Sequence, residues 1–459
     1  MYKKKAHIHF VGIGGIGISG IATILKSQGY EISGCDLDMD QISVKNLKAI
    51  GARVFHGNNT IHCQDAAIDI LVYSSAIKTF NAEIISAQNR GIPTIPRAVM
   101  LAELMRTKYG IAISGSHGKT TTTSLISHIL IEAAMDPTVI IGGHLKNISN
   151  NARLGDGDFL VAEADESDRS FLHLYAALAV VTNIDLEHLE TYSDIDDIIS
   201  TFKKFLNNIP FYGKAILCID DANVRSLLPI AHLKTIKYGL TPIADYYATD
   251  IDLKPDHSMF CVWHKEQQLG TVQLNMPGRH NVLNSLAAIA VARDLDVPFE
   301  TISRALINFK GIERRFCFKG LFGNAEFFDD YGHHPQEIYN TLLVAKNRAK
   351  KKLTVVFQPH RFSRTHKLWN EFIDIFMQSN IDNLIITDIY PASEAPIPEI
   401  TSLNLVKALE ARNPKFTISY APFDAQFKAI RTVLDPLIEA DDLVLLLGAG
   451  KVNKIVETF

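Results

Sequence analysis

Apolar and polar positions along the chain switch repeatedly between two periods. Residues 6–11 (AHIHFV) read as a short strand, followed by a glycine-rich turn and an apolar helical stretch, IGISGIATILKSQG, over 16–29. EISGCD at 31–36 is a second strand, so the N-terminus predicts a βαβ unit. IDILVYSSAI and GIPTIPR add further strands, and the first domain is expected to span residues 1–107. YGIAISG opens a second series, with the helical stretch TTTSLISHILIEAA and the strand-like runs DFLVAEAD and LAVVTNID. A more polar strand region around 244–275 and a loop-to-helix pattern, NMPGRHNVLNSLAAIAVARDL, complete a domain expected over 108–313. AEFFDDYG, KLTVVFQPH, NLIITDIYP, FTISYAP and LVLLLGAG make a third series over 314–459. Strands alternating with helices predict helix-covered parallel sheets, so the fold class is α/β in three domains.

Length agrees with that division, because 459 residues exceed what one core usually supports. Hydrophobic residues at 47% and charged residues at 21% are ordinary for a globular chain. A formal net charge of -4 argues against a nucleic-acid or membrane-surface binder. The five cysteines (Cys35, Cys63, Cys218, Cys261, Cys317) form no C-x-x-C pair, which fits a reducing, cytoplasmic setting and offers no metal framework. No apolar run approaches the ~20 residues of a membrane span.

The chemistry concentrates at strand ends. ISGSHGKTTT (113–122) nearly spells a Walker A loop, with Ile113 where the first glycine belongs. Gly115, Ser116, His117, Gly118, Lys119, Thr120 and Thr121 form the turn and the start of a helix. Backbone N–H groups there would cradle ATP phosphates, Lys119 would reach the β- and γ-phosphates, and Thr120 would help hold Mg²⁺. Lys119 is expected in a solvated loop, and Ile113 at the end of a buried strand. VAEADESD crowds Glu163, Asp165, Glu166 and Asp168 at one strand end, a density that asks for a cation. His188 is a candidate second ligand. The N-terminal turn fits G-x-G-x-x-G through Gly12, Gly14 and Gly17, with Gly15 between and Asp36 closing the second strand. That spacing admits the diphosphate of NAD or of a nucleotide sugar alike. DDYGHHPQE and QPHRFSRT supply a cationic surface suited to carboxylates and phosphates.

Together HFVGIGGIGISGIA, SSAIK, GSHGKTTTTS, EADESD, PGRHNVLNSLAA, DDYGHHPQEI, QPHRFSRT and LGAGKVNKI resemble the Mur ligase family, in the family's order and over nearly the whole chain. The resemblance implies a Rossmann-like N-terminal domain for a UDP-sugar, a central P-loop ATPase-type domain and a C-terminal Rossmann-like domain. Gly12, Gly14, Gly15, Gly17, Asp36, Ser74 and Ser75 would hold the UDP-sugar. His280, Asn281, Asn284, Arg315 and Asp330 would join the loop residues at ATP, and Thr120, Glu163 and His188 would hold the metal. Tyr331, His333, His360, Arg361 and Arg364 would face the substrates, with catalytic roles for Lys119, His333 and Arg364.

The branch implied joins L-alanine to UDP-N-acetylmuramate with ATP and Mg²⁺, as a monomer or homodimer. The alternatives are a branch that attaches a recycled tripeptide to the same sugar nucleotide, and an NAD-dependent oxidoreductase. Leu186, Glu187 and Glu190 around His188 depart from the family's usual proline and aspartates.

Overall fold

In the computed structural model, residues 5–57, 68–74, 76–145, 150–188, 190–392 and 394–459 are described. The alternating pattern resolves into three sheets. The first holds β1 (His7–Val11), β2 (Glu31–Asp36), β3 (Arg53–His56), β4 (Ile70–Tyr73) and β5 (Thr94–Pro96). Their order is β3-β2-β1-β4-β5, and every pairing is parallel. β1 is buried along its whole length, as expected of a strand covered on both faces.

The second sheet has ten strands: β6 (Tyr109–Ser114), β7 (Thr138–Leu145), β8 (Asn150–Arg153), β9 (Phe159–Glu163), β10 (Leu178–Val181), β11 (Lys214–Cys218), β12 (Lys234–Gly239), β13 (Tyr246–Leu253), β14 (Ser258–His264) and β15 (Gln267–Leu274). Their order is β15-β14-β13-β12-β11-β10-β6-β9-β7-β8. β6 sits between β9 and β10, parallel to both. The loops that follow these three strands therefore converge at one sheet end. Ile113 is fully buried within β6, as its apolar surroundings predicted.

The third sheet holds β16 (Cys317–Phe322), β17 (Ala325–Asp330), β18 (Leu353–Phe357), β19 (Asn383–Ile386), β20 (Thr417–Tyr420) and β21 (Leu443–Leu447), in the order β16-β17-β21-β18-β19-β20. Only β16 runs antiparallel to its neighbour among the pairings of this sheet. Period-2 alternation splits its apolar residues between two cores. Phe328, Leu443, Leu445 and Leu447 enter one, and Phe327, Val444 and Leu446 enter the other.

Packing groups the first two sheets in one unit (residues 1–251, 260–274 and 281–310) and the third sheet in another (252–259, 275–280 and 311–459). Within the first unit, the helix Ile16–Ser27 lies on the β7–β8 hairpin. Asn151 Nδ2 donates to Ile16 O at 2.5 Å and to Ser19 Oγ at 3.1 Å. A Cβ on Gly20 would lie 3.1 Å from that of Ala152. The helix that follows the first glycine loop is thus anchored to the central sheet.

Candidate nucleotide and substrate sites

The loop after β6 is shaped by its neighbours on β10. Ser116 N–H donates to Asn183 O at 3.0 Å, and His117 N–H donates to Asn183 Oδ1 at 2.8 Å. Thr182 Oγ1 and Asn183 Nδ2 return hydrogen bonds to His117 O at 2.6 and 3.0 Å. Gly115 has φ +132°, and a Cβ there would stand 2.1 Å from Thr182 Oγ1. Gly118 has φ +81°, and a Cβ there would stand 2.5 Å from Asn284 Oδ1. Both positions exclude any side chain. Asn284, from the helix Arg279–Asp294, also accepts from Thr122 Oγ1 at 3.3 Å and donates to Asn281 Oδ1 at 3.3 Å. The structure therefore brings Asn284 to the phosphate loop, with Asn281 hydrogen-bonded to it.

Lys119 differs from expectation. Its Nζ donates to Gly115 O at 2.5 Å, to Ser116 O at 3.0 Å and to Glu166 Oε1 at 2.7 Å. The Lys119 and Glu166 side chains are 18% and 2% exposed, so the lysine is not in a solvated loop. Burial opposes its charge, but Glu166 and Asp165 outweigh that and raise its pKa to about 12.

Of the acidic residues that follow β9, Glu166 faces this lysine. His188 Nε2 stands 3.5 Å from Glu166 Oε1 and 3.7 Å from Glu187 Oε2, and its Nδ1 stands 3.8 Å from Glu190 Oε1. Burial works against the imidazolium, but Glu166 and Glu190 raise its pKa to about 9. Ligand atoms of Glu166, Glu187 and His188 all lie within 4.8 Å of one another. Glu166 Oε2 is buried with no hydrogen-bond partner, which suits a cation. Glu163 instead accepts from Gly142 N–H at 2.8 Å. The cluster that could hold a cation is thus Glu166 and Glu187 beside His188. Glu166 is one of the four acids expected to draw a cation, but the ligand expected among them is Glu163, and Glu187 figures in the sequence only as a departure from the family.

The first glycine loop is braced from below. Gly12 has φ +76°, and a Cβ there would lie 3.2 Å from that of Ser74. Gly14 N–H donates to Asp36 Oδ2 at 2.8 Å, and Ser43 Oγ donates to Gly14 O at 2.5 Å. A Cβ on Gly14 would meet Gln41 Oε1 at 2.8 Å and Val44 Cγ2 at 2.9 Å. The Asp36 carboxylate, expected to touch a ligand, here accepts from the backbone of this turn. Ser75 lies outside the described residues.

In the second unit, Asp330 accepts from Phe316 N–H at 2.8 Å, Gly332 N–H at 2.7 Å and Thr341 Oγ1 at 3.2 Å. Burial raises its carboxyl to about 6 even with Arg315 nearby. Arg315 stands 3.6 Å from Glu337. Burial, then Arg315, lowers His280 to about 4. Tyr331 lies under Arg314, with 4.8 Å from guanidinium carbon to ring centre. His333 and His360 have ring centres 5.8 Å apart, and His360 stacks on Tyr390 at 5.5 Å. Arg364 NH1 lies 3.2 Å from His360 Nδ1. Burial, then His333 and Arg364, lowers His360 to about 3, so it is a neutral ring beside guanidinium groups. Gln358 Oε1 accepts from Lys451 N–H at 2.7 Å and Val452 N–H at 3.1 Å, fixing the LGAG turn. Arg314 NH2 donates to Gly448 O and Gly450 O at 2.6 and 3.2 Å from the other side.

These features define a multi-domain α/β nucleotide-binding protein with a shortened phosphate loop. The family pattern "Mur ligase family, catalytic domain" matches residues 7–109, "Mur ligase middle domain" matches 113–292, and "Mur ligase, glutamate ligase domain" matches 314–450. The chain belongs to the Mur ligase family, whose members are ATP-dependent ligases. It is 49% identical to a UDP-N-acetylmuramate–L-alanine ligase of Syntrophotalea carbinolica over 457 residues, covering 100% of this chain and 98% of the relative. It is also 49% identical to the enzyme of that name from Geobacter sp. (strain M21) over 459 residues, with the same coverage. A solved UDP-N-acetylmuramate-alanine ligase from Thermotoga maritima superposes with a TM-score of 0.81 at 25% identity, covering 99% of this chain and 98% of that one. No helix among the described residues is long and apolar enough to cross a membrane.

Proposed function

We propose that the protein joins L-alanine to the lactyl carboxylate of UDP-N-acetylmuramate, consuming ATP and releasing ADP and phosphate, in cytoplasmic peptidoglycan precursor synthesis. The observation that carries this reading is the Lys119 loop. A buried ammonium lies across a glycine turn that abuts Asn284, in a chain that aligns end to end with L-alanine ligases. In this reading residues 1–107 hold the UDP-sugar, 108–313 hold ATP, and 314–459 present the amino acid.

The chemistry follows from the need to activate a carboxylate. A carboxylate oxygen attacks the γ-phosphorus of ATP, and ADP leaves. The amine of L-alanine then adds to the acyl carbon, and phosphate leaves with the carboxylate oxygen it received. No protein nucleophile is required. Lys119 neutralises charge on the transferring phosphoryl group. The helix Lys119–Glu132 presents its first N–H groups to the phosphates. Arg361 and Arg364 hold the amino acid's carboxylate beside the neutral ring of His360, with His333 and Tyr331 closing the same surface. Mg²⁺, held by His188 and the carboxylates of Glu166 and Glu187, with Thr120 and Glu163 as the further ligands that the resemblance implies, would supply further charge neutralisation.

Phosphate release from ATP, Mg²⁺ and UDP-N-acetylmuramate tests the proposal. It should require L-alanine, with L-serine, glycine and the tripeptide L-alanyl-γ-D-glutamyl-meso-diaminopimelate as competitors. Release with the tripeptide and not with L-alanine would assign the chain to the recycling branch.

A further inference from the structure

The helix Arg97–Met105 begins directly after β5, and the side chain of its first residue reaches two places that the sequence does not connect. Arg97 NH2 lies 3.4 Å from Asp165 Oδ2, in the acidic loop that carries the partner of Lys119. Arg97 NH1 lies 3.1 Å from where a Cβ on Gly17 would stand. One arm of the fork therefore rests on the first turn of the helix Ile16–Ser27, just past the glycine loop, and Gly17 is bare where the guanidinium lies. That first turn has no acidic residue and no side-chain cap.

The ion pair with Asp165 is a poor use of this side chain. A structural arginine–carboxylate bridge is usually bidentate at 2.7–2.9 Å. Here the contact is single and long, to a carboxylate 37% exposed, whereas the arginine itself is only 14% exposed. A guanidinium has five donors. Among the described residues, Arg97 has this one carboxylate partner. It lies over the turn, with its donor capacity largely unspent.

We propose that Arg97 is a binding residue for the diphosphate of the UDP-sugar, donating to a diphosphate oxygen at the Gly12–Gly17 turn and releasing Asp165 as it does so. The inference rests on the UDP-sugar reading of the first loop and adds a residue to it. The same movement frees Asp165 beside the ATP loop, so occupancy of the first loop is felt at the second.

Calorimetry without ATP tests this with UDP, UDP-N-acetylglucosamine and UDP-N-acetylmuramate as probes. Arg97→Ala should weaken all three by a similar factor, about 10- to 100-fold, as expected for loss of a charge-assisted hydrogen bond. Arg97→Lys should recover part of the loss. Asp165→Asn, which removes the ion pair and keeps the guanidinium, should bind all three at least as tightly as wild type. Unchanged affinity in Arg97→Ala would overturn the proposal, as would an equal loss in Asp165→Asn. A loss confined to UDP-N-acetylmuramate would assign Arg97 to the sugar's carboxylate instead and overturn the diphosphate role. Wild type that binds none of the three would refute the UDP-sugar reading itself, and the inference with it.

Discussion

Lys119→Ala separates two jobs that the lysine performs. Its ammonium is 2.7 Å from Glu166 Oε1, and the Glu166 side chain is 2% exposed with Oε2 already unpartnered. Truncation leaves this carboxylate buried beside Glu187, with His188 at 3.5 Å as its remaining cationic neighbour. Breaking a buried pair by removing one partner typically costs about 3–5 kcal/mol. The rise of the lysine from 10.5 to about 12 corresponds to about 2 kcal/mol of stabilisation at 1.36 kcal/mol per pKa unit. That contribution is fully present below pH 10.5 and is lost only as pH climbs through about 12, so a neutral assay sees all of it.

The expected loss is therefore about 2–4 kcal/mol, a fall in Tm of roughly 3–6 °C for the nucleotide-free protein. The check is Lys119→Ala/Glu166→Gln. With the carboxylate neutralised, most of the stability should return, while phosphate release stays abolished because the phosphates still lack their cation. A single mutant that melts with wild type, or a double mutant no more stable than the single, would refute the electrostatic reasoning. Ligase activity in either would refute the role of the loop.

Gly14→Val should abolish UDP-sugar binding in calorimetry through collapse of the loop against Gln41 and Val44, so amide exchange of residues 12–17 should accelerate as well. Unchanged exchange would refute this cause. Asp330 has a folded pKa of about 6 against 3.8, so its ionisation opposes folding. Stability relative to Asp330→Asn should fall by about 3 kcal/mol as pH rises from about 4 to 6, measured by denaturant unfolding, and a flat difference would contradict the assignment. Gln358→Leu strips the acceptor from two amides at Lys451 and Val452 and should cost about 2–4 kcal/mol, visible as a lower denaturant midpoint.

Features encoded in a few adjacent residues were legible in the sequence. The strand before the phosphate loop, the two glycine turns and the acids at strand ends all lie within single βα units. Arrangements that join distant segments were not. Four acidic residues crowd residues 163–168, and nothing local says that Glu166 is the one turned to Lys119. Asp36 matched a dinucleotide fingerprint, but the fingerprint does not reveal that the carboxylate is occupied by Gly14 N–H. The β7–β8 hairpin is broken by glycines and polar residues, which hid both strands and the anchoring of helix Ile16–Ser27 by Asn151. Arg97 and Asp165 are 68 positions apart, and Gln358 and Lys451 are 93 apart, beyond any periodicity.

In the proposed reaction one loop holds a sugar nucleotide whose carboxylate is activated by the ATP held on the other. UDP-N-acetylmuramate labelled with oxygen-18 in its lactyl carboxylate tests this most directly. With ATP and L-alanine, the released inorganic phosphate should carry one labelled oxygen per product formed. Phosphate free of label, with product still accumulating, would contradict the claim.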